Sequence, residues 1–471
     1  MSGVKTKKVF TEGPLFFRIT MFAIPIMLTG ILQVLYGIAD NIVVGRFSGD
    51  ANALASVGTT GSLVNLITTL FMGIAGGTGV VVSQYYGARN DKQVSRCVHT
   101  AMLISAIGGI IMMVFGLLVS RTALEIMGVR EDIIDGAALY LRIICFGFPA
   151  SLIYNFAASI LRATGDSRTP LFILASTGLV NVGLNLVFVI ACHMTVDGVA
   201  LATIVSQYLS AIAAVTVLVM RRSESYGFSF AGLCFDKPLF WQIIRCGVPA
   251  GLQSAIFGLA NVVLVSAVNT LSTIAVTAYT IAGNIDGISY VTTNSFSQAA
   301  STFTGQNFGA RKFDRVKTVF SYSMIQVVAF GVTMGQVLLL LADPIADFYI
   351  GTADANREQI IATTHEILGV MLNTYFLCGV MEVLSGCIRG LGYAVSPMCV
   401  SLIFACFTRL AWASFIFPLE PFNHVKGLMS VFPISWSATI VAFTILLFIA
   451  WRRLGIINGK KNSVKTKTLN L

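Results

Sequence analysis

Charged side chains are scarce in this sequence. Asp, Glu, Lys and Arg make up 11% of its 471 residues, whereas a soluble domain carries about 25%. This scarcity excludes an ordinary soluble enzyme or a solvated binding module. Histidine is rare too, with four residues and no H-E-x-x-H motif, which argues against a membrane enzyme with a clustered catalytic or metal site. No selectivity element typical of a channel is visible.

Cysteine is present but not organised. The nine cysteines are scattered, without a C-x-x-C pair. Most lie in apolar stretches, where a thiol packs as a small apolar group. We therefore expect neither a disulfide framework nor a cysteine metal site.

Long apolar runs dominate the chain, which is 56% hydrophobic with a mean hydropathy of +0.82. About twelve runs are long enough to cross the roughly 30 Å of a hydrocarbon core. They predict an all-α polytopic membrane protein with twelve transmembrane helices. The predicted spans are residues 16–44, 52–82, 97–119, 133–160, 169–191, 197–220, 240–268, 272–303, 318–341, 360–387, 396–417 and 427–451.

The basic residues predict the orientation. With the N-terminus in the cytoplasm, 24 of the 31 Lys and Arg residues fall on the cytoplasmic side. This bias places both termini in the cytoplasm of a multi-pass protein of the cytoplasmic (inner) membrane. The net charge of +10 then reflects membrane orientation and attraction to the inner leaflet, and no nucleic-acid partner is expected.

The two halves of the chain repeat each other. S-Q-Y-Y-G-A-R-N-D at 83–91 matches G-Q-N-F-G-A-R-K-F-D at 305–314. L-R-A-T-G-D-S-R-T-P at 161–170 matches I-R-G-L-G-Y-A-V-S-P at 388–397. Both matches have nearly the same offset and occur in the same order, so chance is a poor explanation.

A third match pairs Pro25 with Pro249 near the middle of spans 1 and 7. The repeats predict two pseudo-symmetric lobes of six helices. Because six is even, the lobes are parallel repeats about an axis along the membrane normal. The predicted parts are an N-terminal lobe at 1–220, a cytoplasmic linker at 221–240, a C-terminal lobe at 241–455 and a basic cytoplasmic tail at 456–471.

These motifs together resemble the prokaryotic multidrug and toxic compound extrusion (MATE) family. The resemblance covers about residues 14–452 and also includes P-I-M-L-T-G-I-L-Q-V-L-Y-G-I-A-D at 25–40 and G-V-A-L-A-T-I-V-S-Q at 198–207. It implies a secondary active transporter, not an enzyme. The expected partners are small organic cations and the lipid bilayer, the expected coupling ion is H⁺ or Na⁺, and the chain is expected to act as a monomer without a cofactor.

Asp40 is a carboxylate within the first predicted span. An Asp at the centre of a membrane helix costs roughly 2.5–3.5 kcal/mol, so we expect a functional reason for it. Gln33, Tyr36 and Asp40 are spaced i, i+3 and i+7 and share one helical face. We expect this face to line the substrate cavity of the N-terminal lobe. Helix packing, or contact with water near the outer end of the span, is the alternative.

Span 5 offers oxygen ligands for a cation at Asp40. Asn181 and Asn185 are spaced i, i+4, and Thr203 projects from span 6. The resemblance adds that the DinF-type branch builds a lobe site from a first-span Asp, an Asn and an Asp on span 5 and a span-6 Thr. Asn185 replaces the second acid, which argues against a site for two protons. The alternative for both amides is interhelical hydrogen bonding.

Two acids lie in the second predicted lobe. Glu382 on span 10 aligns with Asn155 across the repeat, and Asp286 lies on span 8. The NorM-type branch places coupling acids on spans 7 and 10, but span 7 carries Gln253 and no acid, so the sequence is closer to the DinF-type pattern. We expect the two acids to attract cations or to act as second proton sites. Buried hydrogen bonding, with Arg409 as an ion-pair partner, is the alternative.

The sequence therefore predicts two sets of functional residues and no catalytic ones. Tyrosines offer π faces to a cation, although such residues more often pack against lipid or core. No metal other than Na⁺ at Asp40 is predicted. The predicted cation-coupling residues are Asp40, Asn181, Asn185 and Thr203. The predicted cavity residues are Gln33, Tyr36, Tyr154, Asn155, Gln253, Asp286, Tyr290 and Glu382.

Antiport by alternating access between the two lobes is the predicted function: a proton or Na⁺ enters as an organic cation or drug leaves. The alternative within the same superfamily is a flippase for a lipid-linked saccharide or a peptidoglycan precursor. A flippase cavity would be rich in Arg and Lys to bind a pyrophosphate. The predicted cavity is lined by acids and amides, which favours the antiporter.

Overall fold

The structure, a computed structural model, describes residues 10–47, 53–350 and 356–456 and contains no strand in these ranges. Helices are the expected outcome, because in hydrocarbon each backbone N–H and C=O must find its partner within the same segment. The predicted basic tail lies outside the described residues beyond residue 456.

The described helices of the first half are separated by short connections, with a π-helical turn at Val187–Ala191. They are α1 (Leu15–Phe47), α2 (Ala53–Gly87), α3 (Asp91–Ile126), α4 (Glu131–Cys145), α5 (Phe148–Ala163), α6 (Arg168–Leu186) and α7 (Val196–Met220).

The second half is also helical, with π-helical stretches at Leu402–Phe407 and Trp412–Ile416. Its described helices are α8 (Lys237–Val268), α9 (Thr273–Gly309), α10 (Phe313–Leu340), α11 (Ala342–Tyr349), α12 (Arg357–Asn373), α13 (Tyr375–Gly390), α14 (Val395–Ser401), α15 (Thr408–Ala411), α16 (Val425–Met429) and α17 (Val431–Arg453).

All twelve predicted spans coincide with helices. In the described ranges, nine helices are long and apolar enough to cross a membrane, or up to eleven if each of two bent pairs counts as one span. The predicted span at 272–303 corresponds to α9, which falls outside this count and is rich in Ser, Thr, Asn and Gln. A helix this polar is tolerated where it faces protein, and many of its polar residues are buried.

Two spans that the sequence presents as continuous are bent. The α4–α5 pair bends by 47° and the α12–α13 pair by 43°. Pro149, just after the first break, cannot donate a backbone hydrogen bond and its ring clashes with the preceding turn. At the second break, Thr374 Oγ1 donates to the carbonyl of Val370 at 2.8 Å, a bond of the kind that bends helices.

The sequence repeats are also structural repeats. Arg89 and Arg311, in the two G-A-R turns, both have φ +56°, and Gly165 and Gly392 have φ +99° and +94°. At all four positions the next residue donates its N–H to the carbonyl five residues back, the Schellman arrangement that ends a helix. Equal backbone conformations at equal repeat positions support a duplicated fold.

The chain divides into two compact units, which differ from the predicted lobes at two places. The first unit contains Leu28–Gly251, and the second contains Phe10–Met27 together with the chain from Leu252 onward. The first half of α1 therefore belongs to the second unit, and the first half of α8 belongs to the first. Pro25 and Pro249 each lie two residues before the point where the helix changes unit.

In the first unit, α2 and α8 touch through their backbones. A Cβ atom at Gly73 would lie 2.2 Å from the nitrogen of Gly251, and one at Gly77 would lie 2.5 Å from the nitrogen of Gly247. Both helices thus carry glycines four residues apart, the spacing that lets membrane helices approach closely. This contact fixes the first half of α8 in the first unit.

In the second unit, the chain before α1 is bound at the ends of α9 and α10. The Phe10 ring stacks on Phe303 with centroids 3.9 Å apart, and the Phe10 N–H donates to Gln306 Oε1 at 2.8 Å. Arg315 Nη2 donates to the carbonyls of Phe10 and Gly13 at 3.3 and 3.0 Å. These bonds anchor the start of α1 in the second unit.

Candidate functional site

Asp40 is bonded to an amide of α6. Asn185 Nδ2 donates to Asp40 Oδ1 at 2.5 Å and lies 3.3 Å from Asn181 Oδ1. Asn185 is fully buried and Asn181 is 6% exposed. The i, i+4 spacing stacks the two amides on one side of α6. Three of the four predicted coupling residues therefore form one hydrogen-bonded network.

Asn185 Nδ2 donates to both of its neighbours in this network, Asp40 and Asn181. Its Oδ1 is buried and has no hydrogen-bond partner among the described residues. An unpartnered buried oxygen costs about 1–3 kcal/mol. Asn185 Oδ1 is therefore an unused acceptor beside a carboxylate. Such oxygen atoms are the ligands that a small hard cation or a proton requires.

Thr203 does not join the network through its hydroxyl. Thr203 Oγ1 donates to the carbonyl of Val199, one turn earlier on α7, at 2.9 Å. Its predicted role as a ligand stays a prediction. Val199 belongs to a buried cluster that also contains Val43 and Val44, one turn beyond Asp40 on α1. These apolar neighbours lower the local dielectric, so charges at Asp40 interact more strongly than in water.

Tyr140 of α4 is a neighbour that the sequence analysis missed. It packs against the valine cluster that contains Val43 and Val44, the residues three and four positions after Asp40. No spacing relation links Tyr140 to this part of α1 along the chain, so only the fold reveals the packing. Among the described residues, no group of three His, Cys, Asp or Glu is arranged to hold a metal ion.

Tyr36 fixes α1 against α6 one turn before Asp40. Its hydroxyl donates to the carbonyl of Ala175 at 3.2 Å. Its ring fills the space beside Gly178, where a Cβ would come within 2.0 Å of a ring carbon. Gln33, on the same face of α1, is exposed. Tyr36 and Asp40 therefore both bond to α6, which positions the acid.

The other predicted cavity residues of the first half bond locally. Tyr154 is 7% exposed, and its hydroxyl donates to the carbonyl of Pro170 at 3.2 Å. Asn155 Nδ2 donates to the carbonyl of Ser151 on its own helix at 2.8 Å. The structure does not connect either residue to the Asp40 network, and their cavity role stays a prediction.

Glu382 has an arginine partner on its own helix. Its Oε2 lies 3.8 Å from Arg389 Nη2, seven residues further along α13. Arg389 also donates to Ser297 Oγ at 3.2 Å, and Ser297 Oγ donates to the carbonyl of Glu382 at 2.8 Å. Glu382 is thus held by a charged partner, and that partner is Arg389 rather than Arg409.

The remaining predicted cavity residues lie on α8 and α9. Gln253 Nε2 donates to Ser401 Oγ at 2.8 Å, which leaves Gln253 Oε1 buried without a partner in the described part of the chain. Asp286 Oδ1 is buried and has no donor among the described residues. Tyr290, one turn after Asp286, is 42% exposed.

The family of the chain is shown by a family profile that matches the sequence twice. The MatE profile matches residues 25–187 and again 249–415, which together exceed half of the chain. The chain belongs to the MatE family. Each match lies within one half of the chain.

Named relatives agree with this assignment. The probable multidrug resistance protein YoeA of Bacillus subtilis is 24% identical over 446 residues, which cover 92% of this chain and 94% of that protein. The probable multidrug resistance protein NorM of Thermotoga maritima is 25% identical over 403 residues, 82% of each chain.

Solved structures show the same fold. A crystal structure of MATE in complex with MaL6 superposes with a TM-score of 0.87 at 20% identity, over 96% of this chain and 99% of that one. An outward-facing multidrug resistance MATE transporter of the MOP superfamily gives 0.87 at 20% identity, over 97% and 99%. This MatE protein is therefore a multi-pass membrane transporter with the twelve-helix, two-lobed fold, and it is not an enzyme.

Proposed function

We propose that this transporter exports small organic cations, including drugs, in exchange for H⁺ or Na⁺ that binds at Asp40. The names of the relatives, multidrug resistance proteins, support the substrate class. The distribution of Lys and Arg supports a location in the cytoplasmic membrane with both described ends of the chain on the cytoplasmic side. The same names do not favour a lipid flippase.

One observation carries the proposal: Asp40 is bonded to a neutral amide and not to a cation. Among the side chains that the structure describes, no Lys or Arg forms an ion pair with it, and Asn185 is its hydrogen-bond partner. A carboxylate within a membrane helix that has no fixed counter-charge is a candidate site for a proton or another mobile cation. Coupling requires such an exchangeable charge.

Asn185 can present either a hydrogen-bond donor or an acceptor to Asp40. The ionised carboxylate accepts from Nδ2, as the structure shows. Protonated Asp40 becomes a donor and needs an acceptor, and a Na⁺ ion at Asp40 needs oxygen ligands. Rotation of the terminal amide of Asn185 would supply Oδ1 in both cases, without movement of α6. The same rotation would change which atom of Asn185 faces Asn181, so the hydrogen bond between the two amides would depend on the charge of Asp40.

Exchange then follows from competition for the carboxylate. On the outer side Asp40 takes up the ion, its charge is neutralised, and the organic cation loses its electrostatic partner and leaves. On the inner side Asp40 releases the ion and attracts the next cation. In a one-for-one exchange of monovalent cations no net charge crosses the membrane, so the concentration gradient of the ion drives the cycle and the membrane potential, about 2.3 kcal/mol per net charge per 100 mV, does not contribute.

The test is efflux of ethidium from proteoliposomes that contain the full-length protein, under an imposed proton gradient and, separately, a sodium gradient. We expect one of the two gradients to drive export in the wild type. Asp40→Asn should abolish that response, because the carboxamide cannot gain or lose charge. Export by Asp40→Asn at the wild-type rate, or no response of the wild type to either gradient, would refute the proposal.

A further inference from the structure

The connection between α7 and α8 exposes large apolar side chains. Within residues 230–241, Phe230 is 68% exposed, Leu233 45%, Phe235 55% and Trp241 57%. We call these four side chains the apolar face. Large exposed apolar patches mark surfaces that bind another protein or a membrane. A loop surrounded by water on the cytoplasmic side would not need such a face.

The backbone of this connection is bound to α3. The N–H of Ser229 donates to His99 Nε2 at 3.2 Å. Thr100 Oγ1 donates to the carbonyl of Cys234 at 3.3 Å. The same hydroxyl accepts from the N–H of Asp236 at 3.1 Å. These bonds hold the connection against the first unit, while the apolar face stays largely uncovered in the part of the chain that the structure describes.

Both ends of the connection are fixed by further contacts. Phe228 is buried, and its ring centroid lies 5.3 Å from that of His99. At the other end, Arg96 Nη1 lies 3.1 Å from Asp236 Oδ2. Asp236 Oδ1 accepts from the N–H of Leu239 at 3.1 Å and so caps the first turn of α8. The connection thus has a bound side and an uncovered apolar side, the arrangement of an element that lies on a membrane surface.

The apolar face continues the apolar surfaces of the two helices that it joins. The Phe235 ring centroid lies 5.3 Å from that of Phe240, which in turn lies 5.3 Å from that of Trp241. Met220, the last residue of α7, is also exposed. Because α7 and α8 are both long and apolar enough to cross a membrane, their ends lie near the boundary between hydrocarbon and headgroups. Tryptophan is enriched at that boundary, so the apolar face lies at the level of the lipid headgroups.

Basic side chains accompany the apolar face. Arg222, Lys237 and Arg245 are exposed, and none of them forms an ion pair with a residue that the structure describes. We call these three side chains the basic rim. The distribution of Lys and Arg predicts that this end of α7 and α8 is cytoplasmic. The cytoplasmic leaflet carries anionic lipids, which attract basic side chains beside a membrane helix. The charge of the rim and the apolar face together fit one partner, an anionic phospholipid surface.

We propose that residues 228–241 lie in the headgroup region of the cytoplasmic leaflet and bind anionic phospholipids. The apolar face packs against the upper parts of the acyl chains, and the basic rim binds phosphate groups. The hydrogen bonds to α3 hold the connection in this position. The segment that the sequence presents as a cytoplasmic linker is thus a membrane-bound element. This inference goes beyond the proposed export function and does not depend on it.

An added tryptophan tests whether the connection lies in the membrane. Phe235→Trp is made in the full-length protein, which is reconstituted into phosphatidylcholine vesicles, and the emission of the wild type is subtracted. We expect phosphatidylcholine with a brominated acyl chain to quench most of the added emission, because bromine quenches only on contact. Aqueous acrylamide should quench little of it.

Ser223→Trp is the control, since Ser223 is an exposed residue of the same connection outside the apolar face. Its added emission should be quenched by acrylamide and not by the brominated lipid. Phe230→Trp repeats the test if Phe235→Trp fails to fold. Added emission that acrylamide quenches as strongly as in the control would overturn the proposal.

The same emission measures the preference for anionic lipid. Brominated phosphatidylglycerol and brominated phosphatidylcholine are compared at equal mole fraction in otherwise identical vesicles. We expect the phosphatidylglycerol to quench the emission added by Phe235→Trp about twofold more strongly, because the basic rim enriches it locally. Lys237→Gln combined with Arg245→Gln should remove most of this difference. Arg452→Gln combined with Arg453→Gln, which removes two exposed charges of α17, is the matched control and should keep it. Equal quenching by the two lipids, or an equal loss in both double variants, would overturn the proposed binding of anionic lipid.

Discussion

Asp40 and Glu382 are acids in corresponding halves of a duplicated fold, and they differ in what they touch. Asp40 accepts a 2.5 Å hydrogen bond from the neutral amide of Asn185, whereas Glu382 lies 3.8 Å from the positive charge of Arg389. A fixed positive partner neutralises an acid within the protein. A neutral partner leaves the acid able to exchange its counter-ion. The comparison therefore favours the first half as the place of the proposed ion coupling.

The internal repeat shows which residues of the second half correspond to Asp40, Asn181 and Asn185. An offset of 224 residues places Leu264 at the position of Asp40, and an offset of 227 places Thr408 and Trp412 at the positions of Asn181 and Asn185. The second half thus lacks the acid and the paired amides. Its buried charged residues include Glu382 and Arg409, which do not occupy the positions of the Asp40 network.

Among the variants that keep Asp40, removal of the Asn185 amide should have the largest effect. Asn185→Leu keeps the volume but leaves Asp40 without its hydrogen-bond donor, so coupled export should fall by about 10- to 100-fold, the equivalent of the about 1.5–3 kcal/mol of a bond to a charged group. Ethidium efflux under the effective gradient measures this loss. The control is Gln298→Leu, outside the predicted site, whose amide donates to Asn294 Oδ1 on its own helix at 2.8 Å. An equal loss in both variants would mean general damage.

Conversion of Asn185 to an acid should change the stoichiometry. In Asn185→Asp, two carboxylates lie side by side at Asp40 and cannot both stay ionised at no cost. The number of ions per exported cation should rise from about one towards two, with a steeper dependence on pH. Ratiometric flux measurements give this number. An unchanged stoichiometry would contradict the role given to position 185.

Glu382→Gln should affect stability more than coupling. Loss of the acid leaves the largely buried Arg389 without its ion-pair partner, which should lower the stability of the folded protein by about 1–3 kcal/mol. Thermal unfolding in detergent measures the decrease. The control is Glu358→Gln, an exposed acid on α12 that should change stability by less than about 0.5 kcal/mol. If Glu382→Gln instead abolished gradient response with normal stability, the contrast with Asp40 would be lost.

The smallest effect should come from Asp166, in the turn before α6. Burial acts to raise the pKa of this carboxyl, but hydrogen bonds from Thr169 and the Arg221 ion pair at 2.8 Å outweigh it and hold the pKa below its usual value. Because Arg221 is 33% exposed, the pair should contribute only about 0.5–1 kcal/mol. Asp166→Asn should lose this amount at neutral pH.

The sign of the pH dependence follows from the lowered pKa. The contribution of Asp166 is complete above the unfolded value of about 3.9 and is lost as the pH falls through the lower folded value. Unfolding curves of wild type and Asp166→Asn should therefore converge as the pH falls below about 4. A difference that grew on acidification would contradict the ion pair. Asp135→Asn, in an exposed pair, serves as the control.

The fold was largely predictable because the length of each apolar run and the internal repeats can be read directly from the sequence. All twelve spans were located, including α9 with its polar content. The bends were not predicted, since the bond from Thr374 to the carbonyl of Val370 depends on a rotamer rather than on composition. The exchange of helix halves between the units was missed as well. The match of E-G-P-L-F at 12–16 with D-K-P-L-F at 236–240 indicates that α1 and α8 begin alike, but it does not indicate which unit each helix half joins.

The candidate site was predictable only in part. The i, i+4 spacing places Asn181 and Asn185 on one face, but it does not say that this face meets Asp40. For Glu382, the i, i+7 spacing to Arg389 was a usable signal, because residues seven apart share a helix face. The partners of Arg409 include Asn261 of α8 and Phe432 of α17, and their identity depends on how each helix is rotated in the fold.

The two proline-marked exchanges in α1 and α8 have a consequence for synthesis. Neither compact unit is a continuous piece of chain, because the first needs the start of α8 and the second needs the start of α1. The first unit is incomplete until residue 251 has left the ribosome, and the segment Phe10–Met27 must wait for helices made more than two hundred residues later. Separately expressed halves cut within residues 221–236 would each lack a helix half, so they should fold only when they are made together.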